Sequence, residues 1–277
     1  MGLKTCKFGG TSVADARKLQ QVKAIVEADS ERRYVVPSAP GKRSPDDVKV
    51  TDMLYACHQR GVAGEPAEAV FEPIRERYLE IIRDLGLGLD LNPYLDEVCQ
   101  QLSAGAGEDY AASRGEYLNG LLVADLLGYE FVEPADIIHF DAQGRFDAEK
   151  TQDSVSQRLA GIPRAVVPGF YGSLPDGSIK TFSRGGTDIS GAIVARGTAS
   201  DVYENWTDVS GLLMADPRVV DNPRHIELLS YRELRELAYM GATVLHDEAI
   251  FPVRQAGIPV HVRNTDTPDQ ELSLIHI

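Results

Sequence analysis

The chain has 277 residues, 43% of them hydrophobic, and a formal net charge of −14 from 28 basic and 42 acidic side chains. The length suffices for one large α/β domain, and the acidic balance argues against nucleic acid or an anionic membrane as the main partner. No apolar run approaches the roughly 20 residues of a membrane span, and the first residues lack a signal-peptide pattern. Cys6, Cys57 and Cys99 have no metal-binding spacing, and their odd number leaves one unpaired, so we expect a reduced, cytoplasmic setting.

Short apolar runs alternate with longer amphipathic stretches along the chain. Strands are predicted at residues 6–8, 34–36, 131–132, 165–167, 202–203 and 260–262. Helices are predicted at residues 13–27, 67–84, 116–127, 148–159, 188–196 and 231–239. This alternation indicates crossover connections and a mostly parallel sheet that is covered on both faces. We therefore predict a three-layer α/β/α sandwich with a mostly parallel central sheet.

Two further segments have a distinct pattern. Residues 140–146 are typical of a small hairpin, with Gly144 able to take a positive φ. Residues 61–107 are mainly helical and polar in pattern, and we interpret them as a helical lid or insertion over the sheet edge. Ligands of open parallel sheets bind beyond the carboxyl ends of the strands, so the loops after the strands are where a site is expected.

The first of these loops, residues 7–12 (KFGGTS), follows an apolar strand and precedes a helix. Gly9 and Gly10 have no Cβ, so the backbone can approach a phosphate closely, and neighbouring N–H groups can cradle it. Lys7 adds a positive charge at the end of the strand. The loop is not a Walker A motif, because the G-x-x-x-x-G-K-[ST] pattern is absent. An ordinary strand–helix turn with a surface lysine would have the same spacing.

The segment 7–13 (KFGGTSV) resembles the opening signature of aspartokinases, within the amino acid kinase fold family. The resemblance implies that Lys7 reaches the transferring phosphoryl group. It also implies that Gly9 contacts substrate and phosphate, and that Gly10 and Thr11 belong to the ATP-binding loop.

A substrate pocket for aspartate needs a partner for each charge of the amino acid. In residues 183–188 (SRGGTD), Arg184 offers a planar fork for the α-carboxylate. Glu116, in residues 114–118 (RGEYL), can face the ammonium group, and Thr51, before a helix, offers a hydroxyl or a backbone N–H. Each of Thr51 and Glu116 alone could be a helix cap or a solvated side chain. Together, the three resemble the aspartokinase substrate motifs in chain order.

Asp188 is predicted to be the N-cap of the helix over residues 189–196. In the resembled family the matching aspartate is catalytic. The accepting carboxylate is already ionised and needs no general base, so catalysis consists of bringing two anions together and neutralising the moving phosphoryl group. We therefore expect Lys7 and Mg²⁺ to neutralise charge, and Asp188 to hold Lys7 in position.

The nucleotide side is expected at residues 205–211 (NWTDVSG), followed by residues 216–218 (DPR). These residues resemble the aspartokinase nucleotide motif, which implies that Thr207, Asp208 and Arg218 contact ATP. Two positions depart from the family pattern: Leu213 replaces a frequent tyrosine, and Thr243 replaces a frequent lysine that faces the phosphates. We retain both as ATP-site positions, with Thr243 leaving that site one cation short.

The end of the chain differs from the resembled family. Aspartokinases typically continue into paired regulatory ACT domains, and the residues after Asn264 are too few for such a module. We expect residues 1–264 to form the amino acid kinase catalytic domain. Residues 265–277 would be a short tail outside the family pattern, with the ACT domains absent.

The resemblance implies an enzyme that uses ATP and Mg²⁺ to phosphorylate the β-carboxylate of L-aspartate. The product would be 4-phospho-L-aspartate, the first intermediate of lysine, threonine and methionine biosynthesis. Another kinase of the same fold, acting on acetylglutamate, glutamate or uridylate, stays open as an alternative. So does a non-catalytic sensor of aspartate or nucleotide, which Leu213 and Thr243 would favour. The sequence does not fix the oligomeric state, and a homodimer stays open.

Overall fold

The structure is a computed structural model of the chain. The structure describes residues 2–183, 185–208, 211–212, 214, 220–221, 223–239, 247–270 and 273–276. Arg184, Leu213, Arg218 and Thr243, four positions of the predicted site, lie outside the described residues.

The centre of the fold is a sheet of eight strands within the described residues, flanked by a two-stranded hairpin. The strands are β1 (Lys4–Phe8), β2 (Arg32–Pro37), β3 (Glu130–Phe131), β4 (Ala165–Val166), β5 (Tyr171–Ser173), β6 (Ile179–Thr181), β7 (Val202–Thr207), β8 (Leu228–Ser230), β9 (Val260–Asn264) and β10 (Ser273–His276). The sheet order is β3-β4-β2-β1-β7-β9-β10-β8, and β5 pairs with β6. Within the sheet only the β9–β10 pair is antiparallel. The predicted mostly parallel sheet is confirmed.

Helices cover both faces of this sheet. They are α1 (Ala16–Glu27), α2 (Val50–Val62), α3 (Glu68–Leu85), α4 (Asn92–Ser103), α5 (Glu108–Leu127), α6 (Ala148–Leu159), α7 (Gly186–Gly197), α8 (Tyr231–Tyr239) and α9 (Phe251–Ala256). Short 3-10 helices span Gly10–Val13, Pro134–Asp136 and Asp247–Ile250. No helix in the described part of the chain is long and apolar enough to cross a membrane.

The alternation of side chains along each strand divides the core into two layers. On β1, Cys6 and Phe8 pack into a cluster with the apolar faces of α1 to α5. On the other face, Val36 packs with α6 and α7, while Tyr203 and Val260 pack with α7 and α9. This division explains the three-layer sandwich that the sequence predicts.

The segment predicted as a helical lid or insertion contains α3 and α4. Its pattern was interpreted as polar, but both helices place apolar side chains in the largest core cluster, against α1, α2 and α5. The polar interpretation is therefore wrong for one face of each helix. A lid function for the segment stays a prediction.

Several predicted boundaries are corrected by the structure. The helix predicted from residue 13 is preceded by a 3-10 helix, and α1 begins at Ala16 after an N-cap at Asp15, whose carboxylate accepts from the N–H of Lys18 at 2.8 Å. Helix α5 begins at Glu108, two turns before the predicted start at Glu116. The small hairpin over residues 140–146 is confirmed: Phe140 and Phe146 form an antiparallel bridge, and Gly144 has a φ of 75°.

Candidate active site

Lys7 lies near the carboxyl end of the central strand β1. Strands β1 and β7 are parallel, and their register places Asn205 opposite Lys7. Both side chains point to the face of the sheet that α7 covers, and Lys7 is only 8% exposed. A buried ammonium group needs charged or polar partners because burial removes its hydration. The structure supplies these partners from two different elements.

Asp188 is the charged partner of Lys7. The Lys7 Nζ atom lies 2.8 Å from Asp188 Oδ1 and 3.4 Å from the amide oxygen of Asn205. The amide nitrogen of Asn205 in turn donates to Asp188 Oδ1 at 2.7 Å. The three side chains thus form a closed network with one cation and one carboxylate, which fixes the direction in which the ammonium group can reach.

The structure corrects the predicted capping role of Asp188. Helix α7 begins at Gly186, and Gly185, with a φ of 56°, is its N-cap, so Asp188 is the third residue of the helix. Its side chain bonds to Lys7 and Asn205 instead of capping the helix. A carboxylate in the first turn is still favoured by the helix dipole. Sequence reasoning missed the earlier start because two adjacent glycines rarely begin a helix.

The glycine loop after β1 packs tightly against the loop after β2. The N–H of Gly41 donates to the carbonyl of Gly10 at 2.8 Å, and a Cβ on Gly41 would lie only 2.6 Å from the carbonyl carbon of Gly10. A Cβ on Gly9 would lie 3.7 Å from Lys7 Nζ, in the space beside the ammonium group. Thr11, in the 3-10 helix, is exposed. The two loops therefore form one surface at the carboxyl edge of the sheet, next to Lys7.

Glu116 lies in the middle of α5 and is 6% exposed. Burial raises the pKa of its carboxyl group to about 8, and the backbone N–H of Ala39 opposes this rise by hydrogen bonding. Within the described residues, Glu116 Oε2 has no hydrogen-bond partner. An unpaired buried carboxylate oxygen is costly and points to a cationic or donor group that the described residues do not provide.

Thr51 is the second residue of α2. The N-cap position is Lys49, whose side chain makes no capping hydrogen bond, so Thr51 belongs to the first turn and is not a cap. Its neighbour Val50 packs within 3.4 Å of the position that a Cβ on Gly115 would occupy. The start of α2 therefore lies beside the Glu116 region, with first-turn N–H groups that have no acceptor within the helix.

Ser38 connects the Glu116 region to the Lys7 network. Its N–H donates to the carbonyl of Phe8 at 3.0 Å, and its hydroxyl donates to Thr187 Oγ1 at 2.9 Å. Thr187 is the residue before Asp188, and its side chain fills the space where a Cβ on Gly169 would be, 2.5 Å away. The carboxyl ends of β1 and β2 and the start of α7 are thus held together.

Thr207 and Asp208 follow β7 at the same edge of the sheet. The N–H of Gly9 donates to the carbonyl of Trp206 at 3.1 Å, which joins the glycine loop to the end of β7. The hydroxyl of Thr207 donates to the exposed carboxylate of Asp208 at 3.3 Å, and the Thr207 carbonyl accepts from the Thr265 N–H at 2.9 Å. These predicted nucleotide contacts therefore lie next to the predicted phosphate loop.

The site also contains polar residues that the sequence analysis did not assign. Asn205 belonged to the predicted nucleotide motif but had no role, and Ser38 and Asn119 were not assigned. A signal for Asn205 was present, because two polar residues, Glu204 and Asn205, stand between the aromatic residues Tyr203 and Trp206 of a buried strand. Within the described residues, no group of three or more His, Cys, Asp or Glu side chains could hold a metal ion.

Comparison with known proteins identifies the family. The sequence profile of the amino acid kinase family matches residues 4–264. Aspartokinase 3 of Bacillus subtilis (strain 168) is 38% identical over 283 residues, covering 97% of this chain and 62% of that protein. The crystal structure of Clostridium acetobutylicum aspartate kinase is 47% identical with a TM-score of 0.95, covering 100% of this chain and 62% of that one.

A third relative has bound ligands. The crystal structure of E. coli aspartokinase III in complex with aspartate and ADP has a TM-score of 0.84 and 26% identity, covering 99% of this chain and 64% of that chain. This chain therefore spans less than two thirds of the length of each of these relatives. Because the family profile matches almost the whole sequence, the chain belongs to the amino acid kinase family.

Proposed function

We propose that this chain transfers the γ-phosphoryl group of ATP to the β-carboxylate of L-aspartate. The observation that carries the proposal is the pairing of two features at one edge of the sheet. One is a buried cation, Lys7, fixed by Asp188 and Asn205 beside a glycine loop. The other is a buried carboxyl group, Glu116, with an oxygen that has no hydrogen-bond partner among the described residues. The first suits a phosphoryl group and the second suits an ammonium group.

In this reaction the protein itself forms no covalent bond with the substrates. The β-carboxylate of aspartate is ionised at neutral pH and can attack phosphorus without a general base. The protein must hold two anions in line and neutralise the charge that spreads over the moving phosphoryl oxygens. Lys7 supplies that positive charge, while Asp188 holds the ammonium group in place. Phosphorus then bonds to the carboxylate oxygen as its bond to the ADP oxygen breaks.

The remaining predicted roles complete the proposal. Arg184 would bind the α-carboxylate, while Gly9, Thr51 and Glu116 would line the rest of the aspartate pocket. The ATP contacts proposed are Lys7, Gly9, Gly10, Thr11, Thr207, Asp208, Leu213, Arg218 and Thr243.

Mg²⁺ is proposed as part of the nucleotide substrate. The described residues offer no three-carboxylate cage, and Mg²⁺ commonly binds through substrate phosphates with one or two protein carboxylates. It would supply additional charge neutralisation on the phosphates. We also propose a role in the lysine, threonine and methionine pathway, a cytoplasmic location, and a homodimer as the assembly to test.

The test is acceptor-dependent ADP formation by the purified chain with MgATP. Aspartate, glutamate, N-acetylglutamate and UMP are compared as acceptors, and acyl phosphate is trapped with hydroxylamine. We expect ADP and trapped acyl phosphate with aspartate, at rates well above those with the other acceptors. Turnover with UMP or N-acetylglutamate instead would identify a different kinase of this fold. Binding of aspartate and ATP without turnover would identify a sensor, and Lys7 would then have no catalytic role.

A further inference from the structure

Asn119 lies on α5 three residues after Glu116 and is 0% exposed. Residues three apart on a helix are neighbours on the same face. Glu116 and Asn119 therefore face the loop after β2 together. A fully buried asparagine is uncommon because its amide has two donors and an acceptor to satisfy.

The two side chains hold opposite edges of a single peptide group. Asn119 Nδ2 donates to the carbonyl oxygen of Ser38 at 2.6 Å. The N–H of the same peptide unit, which belongs to Ala39, interacts with the carboxylate of Glu116. A carbonyl oxygen can only accept, so the nitrogen of the Asn119 amide must face it. The orientation of the amide is thereby fixed, and its oxygen points away from the Ser38 carbonyl.

Each of these side chains has one oxygen atom left over. Glu116 Oε2 and Asn119 Oδ1 are both buried and have no hydrogen-bond partner within the described residues. A buried acceptor without a donor costs about 1–3 kcal/mol, so Asn119 Oδ1 and the ionised form of Glu116, three residues apart on one helix face, indicate a missing donor. An ammonium group has three N–H donors and no acceptor, which matches this pair of oxygens.

We propose that Asn119 Oδ1 is a second acceptor for the substrate's ammonium group, beside Glu116 Oε2, and that the pair makes the site selective for an α-amino acid over the corresponding dicarboxylate. This inference rests on the proposed aspartate site. It assigns a specificity-determining role to a residue outside the predicted motifs.

The position of the pair agrees with an adjacent phosphoryl-transfer centre. Both side chains hold the Ser38–Ala39 peptide group, and the Ser38 hydroxyl donates to Thr187 Oγ1 at 2.9 Å. Thr187 precedes Asp188, which bonds to Lys7. If the ammonium group of the substrate binds at α5, its side-chain carboxylate can therefore extend toward Lys7 across the loop after β2.

The experiment compares two ligands that differ in the ammonium group. Aspartate and succinate are dicarboxylates of the same carbon skeleton, and only aspartate has the amine. Dissociation constants are measured by calorimetry for the wild type, Asn119→Ala and Glu116→Gln. We expect Asn119→Ala to weaken aspartate about tenfold, equal to about 1.4 kcal/mol, and succinate by less than about twofold. Glu116→Gln should also narrow the preference for aspartate.

Asn119→Ser is a second variant, for the case that Asn119→Ala does not fold. The Oγ atom of Asn119→Ser lies one bond short of both δ atoms of asparagine, so this variant removes the proposed ammonium contact while it keeps a polar side chain at the buried position. In that case Asn119→Ser provides the test. It should weaken aspartate binding far more than succinate binding, as expected for Asn119→Ala. Equal weakening of both ligands would mean that Asn119 only positions the loop, and this would overturn the inference, as would no weakening of either.

The wild type distinguishes failure of the proposed aspartate site from failure of the Asn119 role alone. A wild type that does not prefer aspartate over succinate removes the aspartate site itself, and the inference falls with it. A wild type that prefers aspartate, with the preference lost in Glu116→Gln but kept in Asn119→Ala, removes only the role of Asn119.

Discussion

Lys7 and Asn205 lie opposite each other on the parallel strands β1 and β7, and both contact the same oxygen atom, Asp188 Oδ1. Asn205 uses its two amide atoms for two different partners, donating to the carboxylate and accepting from the ammonium group. The charge pair is therefore held by the sheet as well as by α7. Such a fixed ammonium group needs little reorganisation when negative charge develops beside it.

Lys7→Ala should lower kcat about 10²- to 10³-fold, because it removes a preorganised charge from the moving phosphoryl group. The free energy of unfolding should fall by less than the activation free energy rises, since Asp188 keeps its hydrogen bond from Asn205. Steady-state kinetics and a thermal melt measure the two effects. Lys4→Ala is the matched control, because Lys4 is at the other end of β1 and also forms a salt bridge, to Asp29 at 2.6 Å. Near-normal turnover of Lys7→Ala would exclude Lys7 from the mechanism.

Asn205→Ala should lower kcat about tenfold while the KM for aspartate changes little, because it removes a hydrogen bond of about 1.5 kcal/mol to the charged pair and no proposed substrate contact. A merely structural role would instead lower stability and leave kcat per folded molecule unchanged. Kinetics normalised to the folded fraction distinguish the two. A KM that rises with an unchanged kcat would mean that Asn205 contacts aspartate.

The fold could be predicted because its signals are local. Strand β2 contains an apolar run at residues 34–36, and β1, β7 and β9 each contain short apolar patterns. Helix α6 shows helical periodicity over the range predicted, Ala148–Leu159. The early part of α5 was missed because this helix is buried on most sides and has no polar stripe to reveal its period. Strands β5, β6, β8 and β10 have only three or four residues, too few for a periodic pattern.

The site could be predicted only in part, because some of its contacts arise from register. Lys7 and Asp188 could be identified from their motifs, but the contact of Asn205 with both depends on how β7 aligns with β1. The contacts of Glu116 and Asn119 with the Ser38–Ala39 peptide group depend on which face of α5 meets the loop after β2. Asp188 was misassigned as a cap because its local signal, an aspartate near a helix start, is shared by two different roles.

Glu204→Ala should lower the free energy of unfolding by about 3–5 kcal/mol, because it leaves a buried guanidinium group without its partner. Burial raises the pKa of Glu204, but the hydrogen bond and charge of Arg32, 2.8 Å away, outweigh burial and lower it overall. Trp206 also donates to this carboxylate at 2.9 Å and is the single tryptophan of the chain, so its fluorescence reports urea unfolding.

The exposed pair of Glu130 and Arg158 provides the control for that measurement. Its atoms approach to 2.8 Å, but both side chains are nearly half exposed. Glu130→Ala should therefore cost less than about 1 kcal/mol. Similar losses for Glu204→Ala and Glu130→Ala would mean that the buried network contributes no more than a surface ion pair.

Glu116→Gln should stabilise the ligand-free protein, and the gain should grow with pH. The pKa of Glu116 is raised by burial from 4.5 to about 8, so the folded state keeps a proton that the unfolded state has lost across this window. Stability from this group therefore falls as pH rises between these values, by up to about 1.4 kcal/mol per pH unit. Thermal melts of wild type and variant at pH 5 and pH 8 measure the difference. A constant difference would mean that Glu116 is ionised throughout.

Aspartate binding should release about one proton at pH 7 through Glu116. In the free site, burial keeps this carboxyl group mostly protonated, since its pKa is about 8. A bound ammonium group favours the ionised form and lowers the pKa, so binding expels the proton. Affinity should therefore rise with pH from 6 toward 8, by up to about tenfold per unit. Calorimetry in buffers of different ionisation enthalpy counts the protons released.

Aspartate binding to Glu116→Gln should release no proton, and succinate binding to the wild type should release far fewer because succinate lacks the ammonium group. Proton release that persists in Glu116→Gln would assign it to another group, and no release from the wild type would mean that Glu116 does not meet the ammonium group of aspartate.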